Sequence, residues 1–351
     1  MAKVACLLAA ALLLVSSGAA YSRSQAHPTT LVWANGAIAA FAQDGNQIAW
    51  ASYSNSVHSH CIPEIRIRLL DKHRAKLVGC GVTEDGKIEH FSLAGRRVLW
   101  KERYCERYRG NFCYQQLATA SYSKRERVLF KDELVWDPEY KSGDSITAAA
   151  GDSSTLVYGV AIYSYSGGCG EDSTGPCITT VEGSTNRVTN TSTVEVPGAG
   201  VPNLLAVSGR RIALAGWDNV IVLDAVTGAH VGSFSSAEGL LDVAFAPSVV
   251  AVLESAAGGR RIEFHSLAGA LIRTVAVPAK ATDLSTNNTR AVFHVGKSIQ
   301  TVRVAAGTST RVATAANAPI GLSIEGTRVA WAENVKIRGV QRGRIRAITV
   351  R

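Results

Sequence analysis

The sequence predicts an all-β fold: a seven-bladed β-propeller of four-stranded antiparallel blades, its ring closed by the N-terminal strand. Three observations carry this. A turn followed by a short apolar strand recurs seven times, with first apolar residues Ile48, Val98, Leu156, Ile212, Val250, Ala291 and Val329. The steps between them are 50, 58, 56, 38, 41 and 38 residues, and the short steps match a four-stranded blade of roughly 40–45 residues. No stretch keeps a sustained helical period, which disfavours strands alternating with helices.

Residues 1–20 read as a secretory signal peptide. Lys3 is the charged start, Val4 to Val15 is an apolar run too short to span a bilayer, and Gly18-Ala19-Ala20 offers small residues for cleavage. The competing reading is a retained anchor helix. No other stretch is apolar enough to cross a membrane as a helix. Abundant Ala and Gly, with Arg exceeding Lys, point weakly to a bacterial source. Residues 21–28 read as a flexible spacer and 29–351 as the propeller.

Thr30 to Ala34 then reads as an outer strand with no blade before it. A closed ring supplies one, the last blade, whose own chain ends near Val350. Closure of this kind hides two sheet edges that an open array would expose. The fourth unit shows the blade grammar: Leu204 to Val207, Arg211 to Ala215, Val220 to Leu223 and His230 to Phe234, joined by Gly, Asp and Ser turns. The aromatic two residues after the marker (Trp50, Trp100, Tyr158, Phe293, Trp331) reads as packing between blades. Residues 160–200, rich in Ser, Thr and Gly, read as a long loop on the third blade.

Six cysteines remain after the leader, an even number in an exported chain, which reads as disulfides. Sequence alone permits about 15 pairings. Local ones are favoured: Cys105 with Cys113 around a blade-two hairpin loop, Cys169 with Cys177 around a blade-three loop, and Cys61 with Cys80 in blade one. Each is worth about 2.5–3 kcal/mol in the loop-entropy model. A zinc alternative would draw on His58, His60, Cys61, His73 and Cys80, but their spacing fits no established ligand motif. No metal and no cofactor is expected.

Charge is the functional signal with a direction. The chain carries a formal +9. Arg96 to Lys131 holds ten basic residues and three acids, a local +7, and Arg328 to Arg351 a local +6. The rest of the mature chain is therefore acidic. These stretches belong to blades two and seven, which a closed ring separates only by blade one. Arg103, Arg107, Tyr108 and Arg109 of blade two, with Arg344 and Arg346 of blade seven, are the candidate binding residues. Tyr104, Phe112 and Tyr114 interleave with the blade-two charges. The competing reading scatters these side chains over both faces merely to keep the protein soluble.

Asp44-Gly45-Asn46-Gln47-Ile48-Ala49-Trp50 and Gly326-Thr327-Arg328-Val329-Ala330-Trp331 resemble the repeats of bacterial TolB-like and WD-repeat-like propellers. The resemblance spans about residues 30–350 and implies a binding scaffold, often for other envelope proteins. It assigns no site residue, and seven blades depart from TolB itself. No Gly-x-Ser-x-Gly elbow or convincing carboxylate pair is present; Asp132 with Glu133, and Glu171 with Asp172, are adjacent acids that a strand points to opposite faces. The expectation is an exported, non-catalytic scaffold in the cell envelope or outside the cell. Its partner is a protein or an anionic envelope polymer, with nucleic acid disfavoured. The alternative is a secreted propeller-fold hydrolase or lyase.

Overall fold

The computed structural model of the chain describes residues 27–54, 61–82, 86–106, 112–134, 143–166, 178–236 and 239–350. The expected leader, most of the expected spacer, Arg107, Tyr108, Arg109, Cys169 and Cys177 lie outside them.

Seven four-stranded antiparallel sheets follow one another around a ring. Blade one runs from its inner strand Ile38–Asp44 through Gln47–Ser52 and Glu64–Leu69 to its outer strand Lys76–Cys80. Blade two is Lys87–Ala94, Arg97–Glu106, Phe112–Ser121 and Arg127–Leu134. Blade three is Gly143–Asp152, Thr155–Ser166, Ile178–Val188 and Thr193–Glu195. The four strands expected in blade four appear as Leu204–Ser208, Arg211–Ala215, Asn219–Asp224 and His230–Ser235. Blades five and six begin at Leu240–Ala246 and Ala281–Thr286. Blade seven takes Ile320–Glu325, Arg328–Ile337 and Val340–Thr349 from the end of the chain. Its outer strand is Thr29–Trp33, with Thr29 opposite Ala347 and Trp33 opposite Arg344. Inner strands of neighbouring blades pack side by side, and that of blade seven meets that of blade one.

The second strands lie between neighbouring blades, so both of their faces are covered. They therefore read as unbroken apolar runs rather than alternating ones. Ile48 to Ala51, Val98 to Trp100 and Val329 to Ala332 are buried throughout. The aromatic position fills the gap to the preceding blade. Trp100 packs in the cluster joining Ala49, Ile65 and Ile67 of blade one to Val98 and Ala118 of blade two. A side chain at Gly79 would sit 2.6 Å from its ring, so the outer strand needs glycine there. Gly45, Gly95, Gly209 and Gly326 make the first turn of their blades at φ near +55°, the left-handed region where glycine is unstrained.

Residues 160–166, 178–188 and 193–195 depart from expectation, being strand rather than loop. Ser166 pairs with Ile178, extending the blade-three hairpin far beyond the ring's usual strand length. Val, Ile and Tyr within these segments form strands, and the Thr counted toward a loop is itself a β-former.

A second recurring device sits four residues after the marker. Glu102, Glu254 and Glu333 are fully buried. Each reaches back to the linker that follows the preceding blade. Glu102 accepts the Val82 N–H at 2.8 and 2.9 Å. Glu254 accepts the Ser236 hydroxyl at 2.6 Å and pairs with Arg261. Glu333 accepts the Ala316 N–H at 2.6 Å and pairs with Arg344. A buried carboxylate is tolerated where such donors satisfy it.

Cys61 is bonded to Cys80 and Cys105 to Cys113, as the local pairing expects. The first bridge takes both cysteines out of the zinc alternative. Disulfides suit an oxidising compartment. No helix among the described residues is long and apolar enough to cross a membrane.

Candidate functional site

The basic residues of blade two divide by strand alternation and by turn. Lys101 points inward, pairing with Glu89 at 2.8 Å and donating to the Ile146 carbonyl at 3.1 Å. Lys131 lies over the Tyr114 ring. Tyr104 is buried and stacks on Tyr114, so it is no surface contact residue. Arg103 is exposed near the loop end of its strand, opposite Lys87 and Gln115.

Five others converge at the opposite end. Arg96 and Arg97 follow the first turn of blade two, while Lys124, Arg125 and Arg127 come from its last hairpin. With Ser121, Ser123, Ser153, Ser154, Thr189 and Asn190 they line an open cleft of about 430 Å³ against the turns of blade three. Arg97 and Arg127 are held in place by their neighbours. Arg97 donates to the Val188 carbonyl at 3.2 Å and to the Asn190 side chain. Arg127 donates to the Thr189 carbonyl at 3.1 Å. Burial, then the charge of Arg127, lowers the Arg97 guanidinium from its ordinary range.

No carboxylate lines this cleft. The two acids nearest in sequence are engaged by neighbouring blades, although Asp152 also accepts the hydroxyl of cleft-lining Ser153 at 3.2 Å. Glu126, between Arg125 and Arg127, accepts the Cys80 N–H of blade one at 3.0 Å. Asp152, beside Ser153, accepts the Gly209 N–H of blade four at 2.6 Å. Half of the basic residues counted along that stretch are thus gathered in one place.

The blade-seven candidates are placed differently. Arg344 binds Glu333 at 2.6 Å and covers the Trp33 ring, and Arg346 donates to the Pro28 carbonyl at 2.8 Å. Both are half-buried, and their charges face a carboxylate inside the blade. The structure does not bring them together with Arg103, because blade one intervenes.

A third cluster lies at the turn end of the central channel. Carboxylate oxygens of Asp44, Asp152 and Glu325 lie within 4.8 Å of one another. Each also accepts an N–H from a turn of the following blade: Asp44 from Gly95, Asp152 from Gly209, and Glu325 from Gly45. Among the described residues this group offers the oxygen donors that suit a hard cation. Its sequence signal was an acid placed directly before the first turn of three blades, a position already inside the repeat.

Burial, then the charges of Asp44 and Asp152, push Glu325 up to about 7. Arg328 is the cation that faces it. Burial raises Asp44 as well, against the opposing Gly95 N–H. A carboxyl whose folded value lies above its unfolded one stabilises the fold while protonated. That contribution is complete below about pH 4.3, the unfolded value, and is lost as pH rises through about 7. Glu325→Gln removes the titration. Its melting temperature relative to the parent should therefore climb between pH 4.5 and 7.5. A difference that stays constant across this range would show that Glu325 does not carry the effect.

No protein-family model matches the chain, and no curated protein sequence does. Among solved structures it is similar to Saccharomyces cerevisiae Sqt1, with TM-score 0.46 and 8% identity over 92% of this chain and 100% of that one. It is also similar to BamB from Moraxella catarrhalis, with TM-score 0.44 and 10% identity over 92% and 98% of the two chains. Both are propeller proteins. The strand pairing of this chain establishes its fold without them.

Proposed function

We propose that the protein is an exported, non-catalytic binding scaffold. Its basic blade-two sector docks an anionic partner of the cell envelope or extracellular space, a protein or an acidic polymer. The fold suits a binding role in general, since rigid blades hold loops and turns on two faces of a ring. The observation that carries the reading is the convergence of Arg96, Arg97, Lys124, Arg125 and Arg127 on one cleft without a lining carboxylate. The secretory leader and the disulfides support an extracytoplasmic setting.

The test is retention on purified envelope fractions as salt is raised. Parent protein should bind at low ionic strength and release within tens to hundreds of millimolar salt, as screened attraction does. Changing Arg96, Lys124 and Arg125 together to Ser should weaken retention about tenfold or more, each exposed charge contributing up to about 1 kcal/mol. Changing Arg103, Arg107 and Arg109 together tests the loop candidates in the same way. Parent-like retention by both triple variants would defeat the reading.

A further inference from the structure

We propose that the cleft between blades two and three is a binding site for a phosphate group carried on a larger molecule. The inference rests on the docking reading above and names the chemistry of its ligand.

Two arginines form the floor of the site. Strand pairing places Arg97 opposite Ser121 and Arg127 opposite Thr119, so the third strand of blade two separates them by a fixed distance. Backbone carbonyls of blade three hold both guanidinium groups and take up part of each donor fork. A guanidinium has five N–H donors and matches a tetrahedral oxyanion through two of them at once. Arg96, Lys124 and Arg125 stand around the opening, and none of the five pairs with a described carboxylate.

The choice of phosphate follows from charge and from the lining. A single carboxylate would leave most of this positive charge unanswered. A phosphate monoester brings nearly two negative charges and three acceptor oxygens. No aromatic ring lines the cleft, so there is no platform on which a sugar or peptide ring could stack. The hydroxyls of Ser121, Ser123 and Ser154 supply further donors for phosphate oxygens, while that of Ser153 donates to Asp152. The cleft is open and larger than one phosphate group, which leaves room for the rest of an ester.

Titration calorimetry of the full chain with glucose 6-phosphate should show one saturable site. Inorganic phosphate should compete for it. Trigalacturonate, which carries carboxylates alone, should bind at least tenfold more weakly. Arg97→Gln with Arg127→Gln should weaken phosphate binding by tenfold or more, and Lys280→Gln, at an exposed position between blades five and six, should leave it unchanged. Because Arg97 and Arg127 also hold blade three, Lys124→Gln with Arg125→Gln is the second variant. Their side chains carry none of those carbonyl contacts, and binding should fall several-fold with the fold intact. Sedimentation with phosphatidylcholine vesicles, with and without phosphatidic acid, separates the carriers. Capture by acidic vesicles supports a lipid-borne phosphate, and binding of the sugar ester alone supports a soluble or polymer-borne one. Absence of saturable phosphate binding, or parent-like binding in both double variants, overturns the inference. Equal binding of trigalacturonate overturns the phosphate assignment while leaving the docking reading standing.

Discussion

Removing residues 27–33 should lower the melting temperature by about 6 °C and make the protein self-associate. The deletion strips the outer strand from blade seven. It removes the Val32 side chain from the cluster that joins Ile345 and Ala347 to Phe41 and Trp50. It also takes away the Leu31 carbonyl that receives Arg68 at 2.6 Å and the Pro28 carbonyl that receives Arg346. Lost ladder bonds and burial of about 150 Å² of apolar surface or more amount to about 4 kcal/mol. With an unfolding entropy of about 2.1 cal/mol/K per residue, each kcal/mol moves the midpoint of a propeller this long by about 1.5 °C. The Val340–Thr349 edge left behind is a template for another chain. Calorimetry and size-exclusion chromatography check both effects. A truncated protein that melts and elutes like the parent would show that the ring does not depend on this strand.

Glu333→Ala should cost about 3–5 kcal/mol, the usual penalty for breaking a buried ion pair from one side. Arg344 would keep a half-buried charge with no carboxylate, and the Ala316 N–H would lose its acceptor. The linker between blades six and seven would then lose its tie to the second strand. Glu333→Leu combined with Arg344→Leu should recover much of the loss, because it removes the stranded charge with its partner. Arg103→Ser, at an exposed position, should stay within about 0.5 kcal/mol of the parent. Chemical denaturation of the four proteins checks the set. A Glu333→Ala loss under 1 kcal/mol would mean the linker is held by other contacts.

The blade repeat was legible because its signal is local. A turn residue, a marker and an aromatic lie within six positions, and the strand between them is apolar on both faces. The closing strand was legible for a related reason: Thr30 to Ala34 carried outer-strand chemistry without a blade of its own. The buried glutamates were not. Glu102, Glu254 and Glu333 share one place in the repeat, yet their partners Val82, Ser236 and Ala316 lie 20, 18 and 17 residues upstream, in linkers without a common motif. Counting charge along the chain found the basic stretch but not its geometry. It set Glu126 against its arginine neighbours, whereas the turn before the last strand carries that carboxylate to the Cys80 N–H of blade one. It also treated Arg344 and Arg346 as free charges, because nothing nearby in sequence announces that both side chains turn toward Glu333.

The closing strand also sets how the ring responds to traction. Thr29 lies opposite Ala347, so the chain enters and leaves blade seven at the same end of one antiparallel ladder. A pull on the segments flanking this pair acts on one rung at a time: Thr29 with Ala347, Thr30 with Arg346, then Val32 with Ile345 and Trp33 with Arg344. Hydrogen bonds loaded singly yield at far lower force than the same bonds loaded together in shear. Tension between the two flanks therefore unzips the ring at this seam while the six continuous blades stay folded.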